Sequence, residues 1–372
     1  MTHTQIVIFG TGEQAMRAYY VLREEYEIMY FLDNSRSGQY FYGKKTEAPN
    51  EENTAQYYIV VCTNMKNYVE IAKQLKTYGL AELKDFCHME AFGKKIVVVH
   101  GNCHMRILKA YMKTSEIFCA QYYLYPLPPI QDIKRGYIED DVLENCDVFI
   151  HQDIRKENHY GEKLSDEYIM PRLGRGVKKI TVPNLYNFGM AFFPQTVMNK
   201  NNPKFNDNGN GLFRHGDRNV EELLDRGITN LEEILNVIRG GVYDAEYIRA
   251  EFEKYTKAAL ERELCWDVKI MDYILKNYKD KRLFYDYGHP YNDVIKEICA
   301  GVFKIMGLDE NTIKEIDINL GTQEEPVYPC VIQALGMKWD NGNLRGNGYK
   351  LISGEMDFKE YYREYLYWSY GI

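Results

Sequence analysis

The sequence lacks the features that mark membrane-embedded, secreted and nucleic-acid-binding proteins. No apolar run approaches the roughly 18 residues that a membrane-spanning helix needs, and the first residues lack the basic segment of a secretion signal. Acidic residues outnumber basic ones by 54 to 46, so the net charge of -8 provides no general attraction for nucleic acid or anionic lipid. We therefore expect a cytoplasmic protein with no membrane span and no nucleic acid partner.

The sequence also lacks the residue spacings of metal centres and redox dithiols. Its 8 cysteines include no CxxC pair, and its 8 histidines include no HExxH or comparable ligand spacing. His151, His159 and His215 lie in polar segments without such a pattern. We expect reduced, mostly buried cysteines and no bound metal.

Two separate strand and glycine-turn segments indicate two α/β domains. The first opens with the apolar strand Gln5–Phe9, a glycine turn and a helix at 16–25. Strands at 28–32 and 57–62 and a helix at 68–78 follow, and this order predicts a small parallel sheet of Rossmann type. A second apolar strand, Lys95–His100, follows a glycine and lysine break. We place the boundary there, which gives domains 1–93 and 94–372.

The second domain contains further strand patterns and a long helical region. Its parallel sheet is expected to carry helices on both faces. The predicted strands are 117–124, 148–151, 179–182 and 282–285. The predicted helical segments are 104–112, 220–278 with a break at Gly240 and Gly241, 291–306, and the aromatic amphipathic helix 357–370. A segment rich in glycine and asparagine at 206–211 is predicted to be a surface loop.

The glycine turn of the first domain has the pattern of a phosphate-binding turn. Gly10, Gly12 and Ala15 lie between a strand and a helix, where backbone N–H groups and the positive helix end can hold a phosphate. Asp33 ends the second predicted strand, where a carboxylate can accept a hydrogen bond from a ribose hydroxyl. The pattern is equally consistent with glycines that serve only the turn geometry.

Residues 38–45 imitate a P-loop, GxxxxGK, without its context. Lys45 occupies the position of the Ser or Thr that would hold magnesium. The segment does not lie between a strand and a helix. This excludes a P-loop ATPase.

Cys103 follows the strand Lys95–His100 and precedes a helix. This placement favours a thiolate through the helix dipole, and it brings backbone N–H groups close enough to stabilise an oxyanion. A nucleophile would be mounted in this way. The alternative is a small buried hydrophobic residue.

Asp286 and His289 form an Asp-x-x-His unit that we place at the end of the predicted strand 282–285. In such a unit the carboxylate holds one imidazole nitrogen while the other faces a nucleophile. The alternatives are a cap carboxylate for Asp286 and a helix-entry residue for His289. If both strand ends belong to one parallel sheet, Cys103 and His289 should face each other across one cleft.

These motifs resemble two known groups of proteins. Gly101-Asn102-Cys103 and Asp286-x-x-His289 resemble the GDS and DxxH blocks of SGNH hydrolases. Together with the segments 100–104, 151–155 and 288–290, they resemble more closely the acetyltransferase family of capsular polysaccharide biosynthesis, over about residues 95–340. This chain has His104 where that family has glutamine, Asp153 where it usually has proline, and an additional N-terminal domain.

The resemblance implies an SGNH-hydrolase-like three-layer α/β domain with additional helices and an acyl donor such as acetyl-CoA. Cys103, His289 and Asp286 would be catalytic, and Asn102, Gln152 and Arg155 would serve the oxyanion or the substrate. Residues 5–90 resemble the small Rossmann-like domains that precede many sugar-modifying enzymes, which are associated with nucleotide-sugar recognition.

Our leading hypothesis is a CoA-dependent O-acetyltransferase that modifies a sugar or polysaccharide precursor. Cys103 would attack the thioester, or alternatively line the pocket while His289 activates the sugar hydroxyl for direct attack. The alternatives are a thiol esterase or deacetylase with the same residues, a noncatalytic nucleotide-sugar-binding module, and a nicotinamide dehydrogenase.

Overall fold

The structure of the protein is a computed structural model that describes residues 4–201, 213–316, 318, 324–339, 344–345 and 355–372. The loop predicted at 206–211 lies outside these residues. The described strands are β1 (Gln5–Phe9), β2 (Glu27–Leu32), β3 (Tyr40–Phe41), β4 (Lys44–Glu47), β5 (Tyr58–Val61), β6 (Phe86–His88), β7 (Lys95–His100), β8 (Tyr122–Leu124), β9 (Val148–His151), β10 (Lys178–Thr181), β11 (Thr196–Met198), β12 (His215–Asp217), β13 (Leu344–Arg345) and β14 (Glu355–Met356).

The helices alternate with the strands in the first half of the chain and dominate the second half. They are α1 (Glu13–Leu22), α2 (Glu51–Thr54), α3 (Met65–Thr77), α4 (His104–Thr114), α5 (Glu116–Gln121), α6 (Asp140–Asn145), α7 (Asp166–Ile169), α8 (Arg218–Asp225), α9 (Leu231–Arg239), α10 (Ala245–Glu263), α11 (Met271–Asn277), α12 (Asn292–Met306), α13 (Pro329–Leu335) and α14 (Phe358–Tyr370). Parallel sheets combined with these helices define an α/β fold, as predicted. Of the helices in the described part of the chain, none combines the length and apolar character that a bilayer crossing requires.

The first sheet has six strands in the order β3–β4–β2–β1–β5–β6. Its central strand β1 pairs in parallel with β2 and β5. Alternate β1 residues pack on opposite faces, Val7 with residues of α3 and Ile8 with residues of α1. Burial on both faces explains why this strand is continuously apolar. The predicted strands and helices of this region are confirmed to within a few residues.

The segment that imitates a P-loop forms a β-hairpin. Strands β3 and β4 pair antiparallel across a turn in which Gly43 has a φ of 74°. A phosphate-binding loop requires a following helix. The exclusion of a P-loop therefore agrees with the structure.

The second sheet has four strands in the order β10–β9–β7–β8, and β7 pairs in parallel with β8 and β9. The predicted strand at 117–124 is wrong over most of its length, because residues Glu116–Gln121 form α5. Phe118 is buried while the adjacent Ile117 is 43% exposed. The apolar residues that we interpreted as a strand therefore belong mostly to a short helix, in which Phe118 is the buried residue.

The chain divides into two compact units, residues 1–101 with 116–179 and residues 102–115 with 180–372. The first unit contains the six-stranded sheet and most of the four-stranded sheet. The predicted boundary between residues 93 and 94 lies between these two sheets but within one compact unit. It therefore stays a prediction.

The second unit is mainly helical. The predicted helical region 220–278 comprises α8 to α11, and α9 ends at Arg239, immediately before the predicted glycine break. Side chains of Asp217, Asn230 and Asp244 accept backbone hydrogen bonds at the starts of α8, α9 and α10. The predicted C-terminal helix is confirmed as α14.

Candidate active site

Two packed helices bring Cys103 and His289 together. Cys103 is the residue immediately before α4, and His289 lies three residues before α12 begins at Asn292. The two helices pack against each other within the second compact unit. The Cys103 thiol lies within hydrogen-bonding reach of the His289 ring and contributes to the raised pKa of that ring. Both residues are partly exposed, so the pair is accessible to a substrate.

Asp286 fixes the orientation of the His289 ring. Its carboxylate is fully buried, and its two oxygens lie 2.9 and 2.8 Å from Nδ1 of His289. The same carboxylate accepts hydrogen bonds from the backbone N–H groups of Gly288 and His289. With Nδ1 held by Asp286, Nε2 is the ring nitrogen available to the thiol.

The His289 ring is strongly stabilised in its protonated form. Burial disfavours the charged ring, but the charge of Asp286 and the hydrogen bonds with Asp286 and Cys103 raise the pKa of His289 to about 10. Burial would also raise the pKa of the Asp286 carboxyl, but the charge and hydrogen bond of His289 hold it below its usual value. At neutral pH the site therefore contains an ion pair behind the thiol.

The structure corrects the predicted support of Asp286 and His289. The predicted strand at 282–285 does not form, and only an isolated bridge joins Phe284 to Pro290. The backbone instead closes a tight loop, in which Tyr285 N–H donates to the His289 carbonyl at 2.8 Å. This loop and the two helix starts position the pair, rather than the ends of two strands in one sheet.

His104 anchors this loop to α4. Its side chain is buried, and Nε2 lies 2.9 Å from the carbonyl oxygen of Gly288, which can only accept a hydrogen bond. Burial and the nearby charge of His289 lower the pKa of His104 to about 3, so the ring is neutral and donates from Nε2. A glutamine amide can donate the same hydrogen bond to the Gly288 carbonyl.

We expect His104→Gln to retain the reactivity of Cys103 and His104→Leu to lose it in part. Glutamine can still donate to the Gly288 carbonyl, whereas leucine leaves a buried acceptor unpaired, at a cost of about 1–3 kcal/mol. Thermal unfolding and the rate of Cys103 alkylation by iodoacetamide measure the two effects. Equal stability of the two variants would contradict the anchoring role.

The other predicted residues around Cys103 are distributed over both compact units. The Oδ1 atom of Asn102 accepts a hydrogen bond from the backbone of His104, and its Nδ2 atom lies 3.5 Å from Oδ1 of Asn184. Asn102 thus stabilises the start of α4. Gln152 is buried and Arg155 is exposed, and both belong to the first compact unit. Their oxyanion or substrate roles stay predictions.

Sequence reasoning missed three residues that hold the Asp286 loop, namely Gly189, His215 and Glu325. A Cβ atom on Gly189 would lie 2.5 Å from Cα of Tyr287, so only glycine permits this close approach. His215 places Nδ1 3.9 Å from Oδ2 of Asp286 and contacts Glu325. These residues are far from Asp286 in the sequence, and no local motif marks them.

Two groups of side chains in the described residues bring potential metal ligands within 4.8 Å of one another. In the first, His215, Asp286 and Glu325 are all engaged in hydrogen bonds to protein groups. The second comprises Glu82, Glu139 and Asp141, which the ammonium of Lys76 contacts. Because hydrogen bonds and an ion pair account for both groups, we assign a metal to neither.

The predicted phosphate turn borders a cavity of about 510 Å³ in the first unit, lined by Gly10, Gly12 and Asp33 among others. Gly10 has a φ of 121°, and a Cβ atom there would lie 2.9 Å from the carbonyl oxygen of Cys62. Asp33 accepts a hydrogen bond from the Thr11 hydroxyl at 2.6 Å. Ala15 is buried beneath the turn and is not among the lining residues.

The structure thus brings a cysteine, a histidine and an aspartate together in one site of an α/β fold, a combination that enzymes with a thiol nucleophile also use. Residues 96–311, more than half of the chain, match the family model described as polysaccharide biosynthesis enzyme WcbI. The chain therefore belongs to this family. This confirms the prediction of an enzyme of polysaccharide biosynthesis.

Two further comparisons found matches. Residues 2–85 match a family model described as C2185-like, N-terminal. A solved structure of WcbI, described as a novel polysaccharide biosynthesis enzyme without a disulfide bond between coenzyme A and one of its cysteines, has a TM-score of 0.59 and 17% sequence identity. The match covers 75% of this chain and 91% of that one, and it shows a common fold. No curated protein is significantly similar to this chain in sequence.

Proposed function

We propose that this protein transfers an acyl group, most simply acetyl, from a coenzyme A thioester to a hydroxyl of a sugar or polysaccharide precursor. The observation that carries this proposal is the hydrogen-bonded set of Cys103, His289 and Asp286. The related structure, described by reference to coenzyme A and a cysteine, supports coenzyme A as the acyl carrier. The family supports a saccharide acceptor.

In the first half of the reaction the Cys103 thiolate attacks the thioester carbonyl. The new C–S bond to Cys103 forms as the bond to the coenzyme A sulfur breaks, and the leaving thiolate takes the proton of the His289 imidazolium. The His289 imidazolium and the start of α4 both place positive charge beside the attacking sulfur. The raised pKa of His289 ensures that the ring carries this proton at neutral pH.

In the second half the sugar hydroxyl attacks the acyl-enzyme. Its proton passes to the neutral His289 ring, the acyl–sulfur bond breaks, and the Cys103 thiolate is restored beside the imidazolium. Asp286 holds Nδ1 throughout, so Nε2 exchanges the proton in both halves. Attack by water instead of the hydroxyl would give the esterase or deacetylase reaction.

The release of coenzyme A from acetyl-CoA tests this proposal. We expect the release to accelerate at least tenfold with a suitable acceptor from a panel of monosaccharides, nucleotide sugars and short glycans, with a mass increase of one acetyl group on the acceptor. Release that proceeds to acetate at the same rate with every acceptor would establish the hydrolase instead. Unchanged acetyl-CoA in all reactions would contradict both.

A second proposed activity, nucleotide or nucleotide-sugar binding, rests on the cavity that Gly10, Gly12 and Asp33 line. Gly12 immediately precedes α1, whose N-terminal end is favourable for a phosphate. Burial would raise the pKa of the Asp33 carboxyl, but hydrogen bonds from Thr11 and Ser35 hold it below its usual value. The carboxylate is therefore ionised and can accept a hydrogen bond from a ribose hydroxyl.

Replacement of Gly12 by leucine should weaken nucleotide-sugar binding without destabilising the fold. A Cβ atom on Gly12 meets no atom within 4 Å, so the fold accommodates the side chain, which then occupies the cavity. We expect calorimetry to show at least tenfold weaker binding of UDP-glucose or GDP-mannose, with unchanged thermal unfolding and coenzyme A binding. If the wild-type protein binds neither of these ligands nor NAD⁺, the N-terminal region has a structural role and does not bind nucleotides.

A further inference from the structure

The buried carboxylate of Asp286 faces two histidines. One oxygen, Oδ2, lies 2.8 Å from Nδ1 of His289 and 3.9 Å from Nδ1 of His215. His215 comes from β12, a segment separate from both α4 and the Asp286 loop. The proposed mechanism uses His289 and leaves the second histidine without a role.

Glu325 holds His215 from the other side. One carboxylate oxygen of Glu325 contacts Nδ1 of His215, and the other accepts a hydrogen bond from the Thr196 hydroxyl at 2.8 Å. His215, Glu325 and Asp286 are 8%, 6% and 0% exposed. Because Nδ1 of His215 lies between two carboxylates, which accept hydrogen bonds, it carries a hydrogen and acts as a hydrogen-bond donor. The N–H group reduces the repulsion between the two carboxylates.

The Glu325 backbone is also joined to the Asp286 loop. Its N–H donates to the carbonyl of Tyr285 at 2.9 Å. The guanidinium of Arg282 donates to the carbonyls of both Tyr285 and Glu325. A change in the charge of Glu325 therefore acts at a fixed distance on both Asp286 and His289.

We propose that Glu325 and His215 are positioning residues: His215 separates the two carboxylates and holds Asp286 in line with His289, and the negative charge of Glu325 adds to that of Asp286 in keeping His289 protonated beside Cys103. The inference rests on the proposed function, in which Cys103 and His289 are the reacting pair. Neither Glu325 nor His215 is assigned a contact with the substrate.

The charged and titratable groups around this network come from several elements. Cys103 and His104 face His289, and the Tyr287 ring lies 4.7 Å from that of His215. Tyr361 of α14 interacts with the charges of both Glu325 and Asp286. Asp217 lines the same small cavity as His215 and Glu325, together with Tyr362 and Tyr365. Arg282 and Arg214 supply nearby positive charge.

Glu325→Gln is the primary test, because the amide keeps the shape and the hydrogen-bonding capacity while it removes the charge. Without this negative charge, the pH at which His289 loses its proton should fall by about one unit. ¹H–¹⁵N spectra of histidine-labelled protein measure this midpoint. The rate of Cys103 alkylation by iodoacetamide against pH should change with it, and Glu325→Asp, which keeps the charge, should restore much of the wild-type profile.

Glu324→Gln is the matched control. It removes the adjacent buried carboxylate, which contacts the Tyr291 hydroxyl instead of His215, and should leave the His289 midpoint unchanged. If Glu325→Gln does not fold, His215→Gln should shift the midpoint in the same direction, because the two carboxylates then repel and one takes up a proton.

Two outcomes separate this inference from the proposed function. A His289 midpoint that moves equally little in the Glu325 and Glu324 variants, by less than about 0.3 units, would overturn the inference even if acyl transfer is found. A shift confined to the Glu325 and His215 variants would support it, including in a protein that transfers no acyl group, because neither measurement uses acetyl-CoA.

Discussion

Cys103→Ala will lower acyl transfer from acetyl-CoA by roughly 10³-fold or more, because the two-step route through a thioester needs the sulfur. The side chain is partly exposed at the start of α4, so alanine leaves little buried space to fill. The fold and coenzyme A binding should therefore persist. The measurement is single-turnover transfer to the best acceptor, with binding followed by calorimetry.

Cys330→Ala is the control for this prediction. Cys330 is also a partly exposed cysteine near a helix start, that of α13, and it should be replaceable without loss of transfer. Full transfer activity in Cys103→Ala would contradict the covalent route and favour direct attack by a hydroxyl that His289 activates. An equal loss in both variants would remove the special role of Cys103.

Asp286→Asn will reduce transfer by up to about 10⁴-fold, the order expected when a neutral amide replaces the carboxylate that orients a catalytic histidine. The amide cannot supply the charge that raises the pKa of His289 to about 10, and burial of the ring then favours its neutral form. At neutral pH the variant should lack the imidazolium beside Cys103. Transfer rates and the His289 midpoint measure the two effects.

The same substitution should alter the pH dependence of stability. A histidine whose pKa rises on folding stabilises the folded protein fully below its ordinary value of 6.5, and this contribution declines as the pH rises towards 10. Wild-type protein should therefore lose thermal stability between pH 7 and 10 more steeply than Asp286→Asn. Parallel curves for the two proteins would contradict the ion pair.

The parts of the fold that sequence predicts well are those set by local periodicity. Strand β1 is apolar at successive positions because both of its faces are covered, and β7 and β9 follow the same rule. The segments 117–124 and 282–285 are also largely apolar, and an apolar run of four to eight residues does not by itself distinguish a strand from a helix or a buried loop. In both segments, packing against the rest of the fold determines the backbone conformation.

The residues of the candidate site also fall into two groups, those that local motifs predict and those that they do not. Cys103, Asp286 and His289 belong to compact motifs, and the resemblance of these motifs to known families predicted them as a set. The residues behind them, His215, Glu325 and Gly189, reach Asp286 only through the packing of distant segments. The strand-end placement predicted for His289 was wrong because a loop fixed by hydrogen bonds replaces the expected strand.

The most direct test of a thiol nucleophile at this site is the mass of the wild-type protein after brief exposure to acetyl-CoA without an acceptor. We expect an added acetyl group, located by peptide mapping on Cys103 as a thioester, that disappears when the acceptor sugar is added. Active protein that never carries the group during turnover, or that carries it on another residue, would contradict covalent catalysis by Cys103.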